Sequence, residues 1–157
     1  MEYKLNLEGS FESEQELLET VRKRRICYDY EPYYRTDKGQ LLQIGYQLNI
    51  YGTFPKDHGD ATPDDPEFGN LLSDVRRLAE ALSNTCDPLH MCEATIIDSN
   101  TVTYSHDRGM RPDVTVHIPI FDQQNYGHPV DEKIRNTLEM AGRLLEAAGV
   151  QKIRWQE

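Results

Sequence analysis

The chain has 157 residues, with 27 Asp and Glu against 17 Lys and Arg, so its formal net charge is −10 with the histidines neutral. This length predicts a single domain over residues 1–157. The acid excess argues against broad binding to nucleic acid or to an anionic membrane surface, because its mean field repels phosphates. It leaves room for cationic partners.

Three features of the sequence predict a cytoplasmic protein. Residues 1–7 lack both the basic start and the apolar run of a signal peptide. No window approaches the roughly 18 apolar residues that a membrane span needs. The three cysteines are an odd number at irregular spacing, which is not a disulfide framework.

The first predicted elements are a short strand and a helix. Residues 3–7 alternate between apolar and polar side chains, as in a strand. Ser13 and Glu16 have the spacing of a capping box, in which each side chain accepts a hydrogen bond from a free backbone N–H at the start of a helix. Acidic residues precede basic ones over residues 13–25, which suits the helix dipole and predicts a helix there.

A hairpin and a second helix are predicted next. Residues 27–31 alternate, residues 36–39 are typical of a turn, and residues 42–51 place an apolar side chain at every second position. Asp65 can cap a helix that has Pro66 at its first position and apolar residues at helical spacing after it.

The second half of the sequence repeats this plan. Residues 94–97 and 101–104 predict another hairpin, residues 114–120 a half-buried strand, and residues 134–148 a third amphipathic helix. Single apolar residues within residues 150–155 predict a short last strand.

Strands with one wet face, in hairpins separated by helices, favour an α+β fold over a doubly wound parallel sheet. The predicted architecture is a two-layer sandwich of a mostly antiparallel sheet with about three helices on one face. An ungapped offset of 66 residues places Leu48 on Val114, which suggests an internal ββα duplication of residues 27–84 and 91–149. The alternative is that any two strand–helix units agree in phase over part of their length.

Motifs that carry chemistry are few. The signatures of serine hydrolases, dinucleotide-binding folds, P-loop proteins and zinc proteases are missing from the sequence, which predicts no cofactor. Cys86, His90 and Cys92 are suitable zinc ligands, but their spacing fits no usual cluster, and the alternative is a helix-to-strand connection with incidental thiols. His106 and His117 are the candidates for acid–base chemistry.

A polar loop before the second predicted helix contains Asp57, Asp60 and Asp64. Carboxylates suit Ca²⁺, but the residue order of an EF-hand loop is missing. We interpret these acids as solvated charge and as a candidate contact for a cationic partner.

Two of the predicted strands carry polar side chains on the face opposite their apolar row. Gln47, Asn49 and Tyr51 share this face of the long strand, and Thr115 and His117 occupy the corresponding positions of the later strand. If these strands are neighbours, the side chains form a polar sheet face that can bind a ligand or a partner. The alternative is an ordinary solvated face.

Tyr28 and Tyr30 begin a run of four closely spaced tyrosines, a residue type enriched at protein interfaces. Basic residues 22–25 beside them suggest stacking of single-stranded nucleic acid as an alternative, which the net charge opposes. Packing within the sheet is a further alternative. A homodimer through the tyrosines or a sheet edge is also compatible with the sequence.

Because no convincing catalytic cluster is present, we expect a non-enzymatic binding protein, such as an inhibitor, an immunity-type protein or a regulatory protein. Its expected partner is a protein of cationic character. The alternative is a small enzyme or ligand-binding domain that uses His106 and His117 in a polar cleft of the sheet.

Overall fold

The computed structural model describes residues 3–54, 66–86, 97–98, 103–105, 111–121, 130 and 132–153. The fold is α+β, as predicted, with helices packed on a mostly antiparallel open sheet. The elements in chain order are α1 (Glu14–Lys23), β1 (Cys27–Asp37), β2 (Gln40–Thr53), α2 (Pro66–Cys86), β3 (Ile97–Asp98), β4 (Thr103–Ser105), β5 (Arg111–Phe121), α3 (Glu132–Ala147) and β6 (Gln151–Lys152).

Helix α1 begins as predicted, with Ser13 as its N-cap. The Ser13 hydroxyl accepts a hydrogen bond from the Glu16 N–H at 3.2 Å, which is half of a capping box. The other half differs, because the Glu16 carboxylate accepts from the N–H of Glu12, at 3.3 Å, and pairs with Arg77 of α2.

The strand predicted at residues 3–7 is wrong. This segment makes no strand pairing: the N–H of Asn6 donates to Thr85 Oγ1 at 2.8 Å, and the carbonyl of Leu7 accepts from the N–H groups of Ser10 and Phe11. Its alternating side chains enter the core beside the helices, since Leu5 is buried. The alternation therefore reflects burial of single side chains and not membership of the sheet.

The predicted hairpin is present as β1 and β2, joined by Lys38 and Gly39. Both turn residues have positive φ, 50° and 79°, the pattern of a type I′ turn, whose twist matches that of the strands. The register shifts by one residue between Tyr33 and Tyr34, which marks a β-bulge.

The sheet has the strand order β3-β5-β2-β1-β6, and β4 also pairs with β5. The hairpin predicted for residues 94–104 is wrong within the described residues. Both β3 and β4 run antiparallel to β5: Ile97 faces His117, and Thr103 faces Asp113. Two strands that each run antiparallel to β5 have the same direction, whereas the two strands of a hairpin run in opposite directions.

All three helices contribute to one buried cluster with β1, β2 and β5. The inner sheet face supplies fully buried Leu48, Ile50, Val116 and Ile118, each at 0 % exposure. Burial of apolar surface at about 25 cal/mol per Å² makes this layer the main source of stability. None of the helices in the described part of the chain combines the length and apolar character needed to cross a membrane.

One of the four basic residues at the end of α1 is internal. Arg24 is 5 % exposed, and its Nε lies 2.7 Å from Oδ2 of Asp74 on α2. A second carboxylate oxygen, from Glu67, lies 3.7 Å from Arg24 Nη1. Arg24 therefore ties α1 to α2.

The strands of the first suggested repeat pair differently from those of the second. In the first, β1 and β2 form a hairpin, whereas in the second β3 and β4 both pair with β5. Much of the second repeat lies outside the described residues. The internal duplication of residues 27–84 and 91–149 and the single-domain assignment stay predictions.

Candidate functional site

The sheet register brings the predicted polar residues together on the face opposite the apolar inner layer. Asn49 of β2 faces Asp29 of β1 on one side and His117 of β5 on the other. We call the resulting surface the polar face. Its seven side chains are Asp29 and Glu31 from β1, Gln47, Asn49 and Tyr51 from β2, and Thr115 and His117 from β5.

Asn49 is the centre of the polar face. Its Nδ2 donates to Oδ1 of Asp29 at 2.9 Å, and its Oδ1 lies 2.6 Å from Nδ1 of His117. Gln47 Nε2 donates to the same Asn49 oxygen at 3.1 Å. An amide in the middle of the sheet thus connects strands β1 and β5 through side chains as well as through the backbone.

Tyr51 is a second donor to the Asp29 oxygen that Asn49 contacts. Its hydroxyl donates to Asp29 Oδ1 at 2.9 Å. Burial raises the pKa of Tyr51 well above its ordinary value, and the neighbouring Asp29 charge raises it further. The hydroxyl therefore stays protonated and keeps its role as a donor to the carboxylate.

The hydrogen bonds favour one tautomer of His117. Its Nδ1 lies 2.6 Å from Asn49 Oδ1, which only accepts, and 3.2 Å from Gln47 Nε2, which only donates. The shorter contact favours a proton on Nδ1, which leaves Nε2 with its lone pair when the ring is neutral. Burial lowers the pKa of His117, while the charges of Glu31 and Asp29 act in the opposite direction. The ring is thus neutral near pH 7.

The network leads from the protein interior to its surface. Asp29 and Asn49 are buried, at 6 % and 4 % exposure, whereas Glu31 is exposed. Gln47 Nε2 donates to Glu31 Oε1 at 2.9 Å and so links the exposed carboxylate to the buried amide. A ligand at Glu31 would contact side chains that are already held in place.

An aromatic pair borders the polar face at the end nearer the turn between β1 and β2. Tyr33 and Phe121 stack with ring centroids 5.6 Å apart and planes inclined by 12°. Both residues face Gly45 of β2 in the register, so the two rings meet above a residue that has no side chain. This contact gives the outer part of the hairpin an apolar anchor on the same side of the sheet.

The two predicted tyrosines lie on the opposite side of the sheet. Tyr28 and Tyr30 face Ile50 and Leu48 of the buried layer. Tyr28 is 4 % exposed, whereas Tyr30 is 42 % exposed. They therefore do not belong to the polar face.

The metal candidates are described only in part. The Cys86 thiol is fully buried at the end of α2, and burial raises its pKa to about 12, so it is held as a thiol rather than a thiolate. Within the described residues no group of three potential ligands is close enough to hold a metal ion. Outside these residues lie His90, Cys92, His106, Asp57, Asp60 and Asp64.

Asp29 and Glu31 are residues of the site that were not predicted from the sequence. The available signal was the alternation in residues 27–31, which places these two acids on the face opposite Tyr28 and Tyr30. Pairing them with the amides of β2 needs the hairpin register, which the bulge alters.

Comparison with protein-family models, with curated protein sequences and with solved structures finds no match to this chain. Any function proposed for this chain therefore depends on the geometry of the site.

Proposed function

We propose that this chain is a non-enzymatic binding protein that takes a cationic segment of a protein partner on its polar face, as an inhibitor, an immunity-type protein or a regulatory protein would. The observation that carries the proposal is the pair of carboxylates, Asp29 and Glu31, fixed by amide and hydroxyl donors in one network.

The network supports binding because its side chains are already ordered. Binding to mobile side chains costs about 0.5–1.5 kcal/mol for each one that becomes immobilised. Gln47 and Asn49 hold the Glu31 and Asp29 carboxylates through hydrogen bonds of 2.9 Å each, so a ligand would meet less of this cost.

The charge of the polar face favours a cation. A neutral His117 adds no positive charge near pH 7, and Glu31 makes no ion pair within the described residues. Ionised carboxylates only accept hydrogen bonds, so the matching ligand groups are ammonium and guanidinium donors. The net charge of −10 would attract such a partner over a longer range.

A defined peptide tests this function. We would measure the fluorescence anisotropy of a short labelled peptide alternating arginine and serine, and of a matching glutamate–serine peptide. Measurements at about 0.01 M and 0.15 M ionic strength change the Debye length from about 30 Å to about 8 Å. We expect only the arginine peptide to bind, more tightly at low salt. Equal binding of both peptides, or no binding at low salt, contradicts the proposal.

Matched variants locate the binding. Glu31→Gln removes one charge from the polar face and should weaken binding about fivefold, equivalent to about 1 kcal/mol. Glu19→Gln makes the same change on an exposed part of α1 and should leave binding unchanged. Equal losses in the two variants would mean that the peptide senses only net charge, which would refute this location.

A specific observation favours a second candidate function, a ligand-binding or acid–base role for His117. The lone pair on Nε2 of the neutral ring is a suitable base, and Asn49 orients the ring through Nδ1. The suggested second histidine, His106, lies outside the described residues. Long-range ¹H–¹⁵N correlation spectra report the tautomer, and an Nε2–H form at neutral pH would exclude this base.

A further inference from the structure

A groove of about 360 Å³ lies on the helix side of the sheet, between the edge formed by β1 and β6 and helix α3. We call it the α3 groove. Its lining includes Tyr28, Tyr30, Arg135, Leu138, Gly142 and Lys152. The polar face is on the other side of the sheet, so the two surfaces are separate.

The periodicity of the two elements produces this groove. Tyr28 and Tyr30 point from β1 toward α3, because they share the sheet face of Ile50 and Leu48. Leu138 and Gly142 are four residues apart on α3 and so lie on one stripe of that helix.

Gly142 shapes the floor of the groove. A Cβ atom at this position would lie 3.0 Å from the Tyr28 hydroxyl oxygen. Glycine in a helix interior costs about 1 kcal/mol relative to alanine. Here it allows the tyrosine hydroxyl to lie against the helix backbone.

The two acidic residues in the lining, Glu139 and Glu146, each have a neighbour in the groove. Burial, and after it the negative charge of Glu146, raises the pKa of Tyr28 to about 12, so the Tyr28 hydroxyl stays protonated beside this carboxylate. Glu139 accepts from Arg143 Nη2 at 2.8 Å.

Two cationic side chains remain to act on a ligand. Arg135 makes no ion pair within the described residues, and the Lys152 ammonium lies 4.6 Å from the centroid of the Tyr30 ring. Tyr30 is 42 % exposed, so an aromatic surface and a positive charge are presented together. In a chain with a net charge of −10, this is a local reversal of charge.

We propose that the α3 groove binds a small organic anion, in which a carboxylate or phosphate is joined to a flat apolar group. Arg135 and Lys152 would bind the acidic group, and Tyr30 and Leu138 would contact the apolar part. The volume of the groove falls in the range of about 300–1,000 Å³ that is typical of small-molecule sites.

The test uses a fluorescent probe of this chemistry, 8-anilinonaphthalene-1-sulfonate, titrated into the folded protein. The double variant R135Q/K152Q should weaken probe binding at least about tenfold, the loss of about 1.4 kcal/mol expected when charge-assisted hydrogen bonds are removed. The control R76Q/K133Q removes the same charge at two helix positions outside the groove lining and should change binding less than about twofold. Equal binding to R135Q/K152Q and to the wild-type protein would overturn the proposal.

Competition identifies the ligand class. Phenyl phosphate and benzoate distinguish a phosphate from a carboxylate source, and displacement of the probe by either one supports the site. Failure of both overturns it, as does inorganic phosphate that competes as well as phenyl phosphate, since the apolar part would then contribute nothing. Binding of the arginine peptide should be the same in R135Q/K152Q, so failure of this site and failure of the polar face are distinguishable.

Discussion

Replacing Asn49 by Asp is the sharpest perturbation of the polar face, because it changes one amide into a carboxylate of nearly equal size. The Nδ2 that donates to Asp29 at 2.9 Å becomes an oxygen, so two carboxylates face each other at a buried position. The oxygen that meets His117 Nδ1 can still accept. The substitution therefore tests the donor role of Asn49 without creating a cavity.

The expected cost follows from two alternative states of the variant. If both acids stay ionised, the protein loses a charged hydrogen bond, about 1.5–3 kcal/mol. It also gains a repulsion of about 4 kcal/mol at about 4 Å and an effective dielectric constant near 20. If one acid takes up a proton, the cost is about 1.4 kcal/mol for each unit by which the pH exceeds the reference Asp pKa of about 3.9. That is about 4 kcal/mol at pH 7 and about 1.5 kcal/mol at pH 5, so protonation is the cheaper state at both values.

Urea unfolding at pH 7 and pH 5 measures this difference. Asn49→Asp should be destabilised by about 4 kcal/mol at pH 7, and the deficit should shrink by about 2.5 kcal/mol at pH 5. Proton uptake by His117 instead would shrink the deficit in the same direction. The control Asn136→Asp, at an exposed position of α3, should stay within about 0.5 kcal/mol of wild type. A deficit below about 1 kcal/mol at pH 7, or one independent of pH, would refute the assigned network.

Three further predictions concern stability and are checked by urea unfolding. Gly142→Ala should stabilise the Tyr28→Phe variant by about 1 kcal/mol, because the new Cβ then contacts only ring carbons at 3.7 Å and 3.9 Å. With the Tyr28 hydroxyl present, the same substitution should stabilise the protein less or destabilise it. Equal effects in both backgrounds contradict this packing. The pKa of His117 is lowered in the folded state, so the neutral ring contributes to the free energy of unfolding. This contribution is complete above the unfolded pKa near 6.5 and declines as the pH falls toward the folded pKa. The slope is at most about 1.4 kcal/mol per pH unit, and His117→Asn should remove it; parallel pH profiles for the two proteins would exclude the lowered pKa. Arg24→Ala should cost about 1.5–3 kcal/mol, since it removes a charged hydrogen bond of a buried side chain while Asp74 keeps its ion pair with Arg77 at 3.3 Å. Arg76→Ala, at an exposed pair, should cost less than about 1 kcal/mol, and similar losses in the two variants would argue against a buried Arg24.

Local signals in the sequence predicted the elements where a single physical cause dominates. Ser13 caps α1 because its hydroxyl satisfies a backbone N–H that no helical carbonyl can reach. The turn at Lys38 and Gly39 reverses the chain because both residues adopt positive φ.

The predictions failed where a local pattern had two structural meanings. Residues 3–7 alternate, but the N–H of Asn6 bonds to the Thr85 side chain instead of a neighbouring strand. Residues 94–97 and 101–104 have the pattern of a hairpin, but β3 and β4 both pair antiparallel with β5 and not with each other. Partners far along the chain decided both cases.

The α3 groove has the same dependence on distant partners. The sequence indicated Tyr28 and Tyr30 as interface candidates, with packing within the sheet as an alternative, yet the contact between Tyr28 and Gly142 joins residues more than a hundred positions apart. No local pattern indicates which glycine of α3 leaves space for a tyrosine.

For the polar face, the sequence by itself determined which side chains share a side of each strand, because successive side chains alternate. Only the tertiary structure decided what faces them. The turn sets Asp37 against Gln40, and an unbroken register would place Asp29 opposite the core residue Leu48. The bulge after Tyr33 shifts the pairing by one residue and sets Asp29 opposite Asn49. Because the side-chain period of a strand is two, this single extra residue decides whether the carboxylate meets an apolar layer or an amide donor.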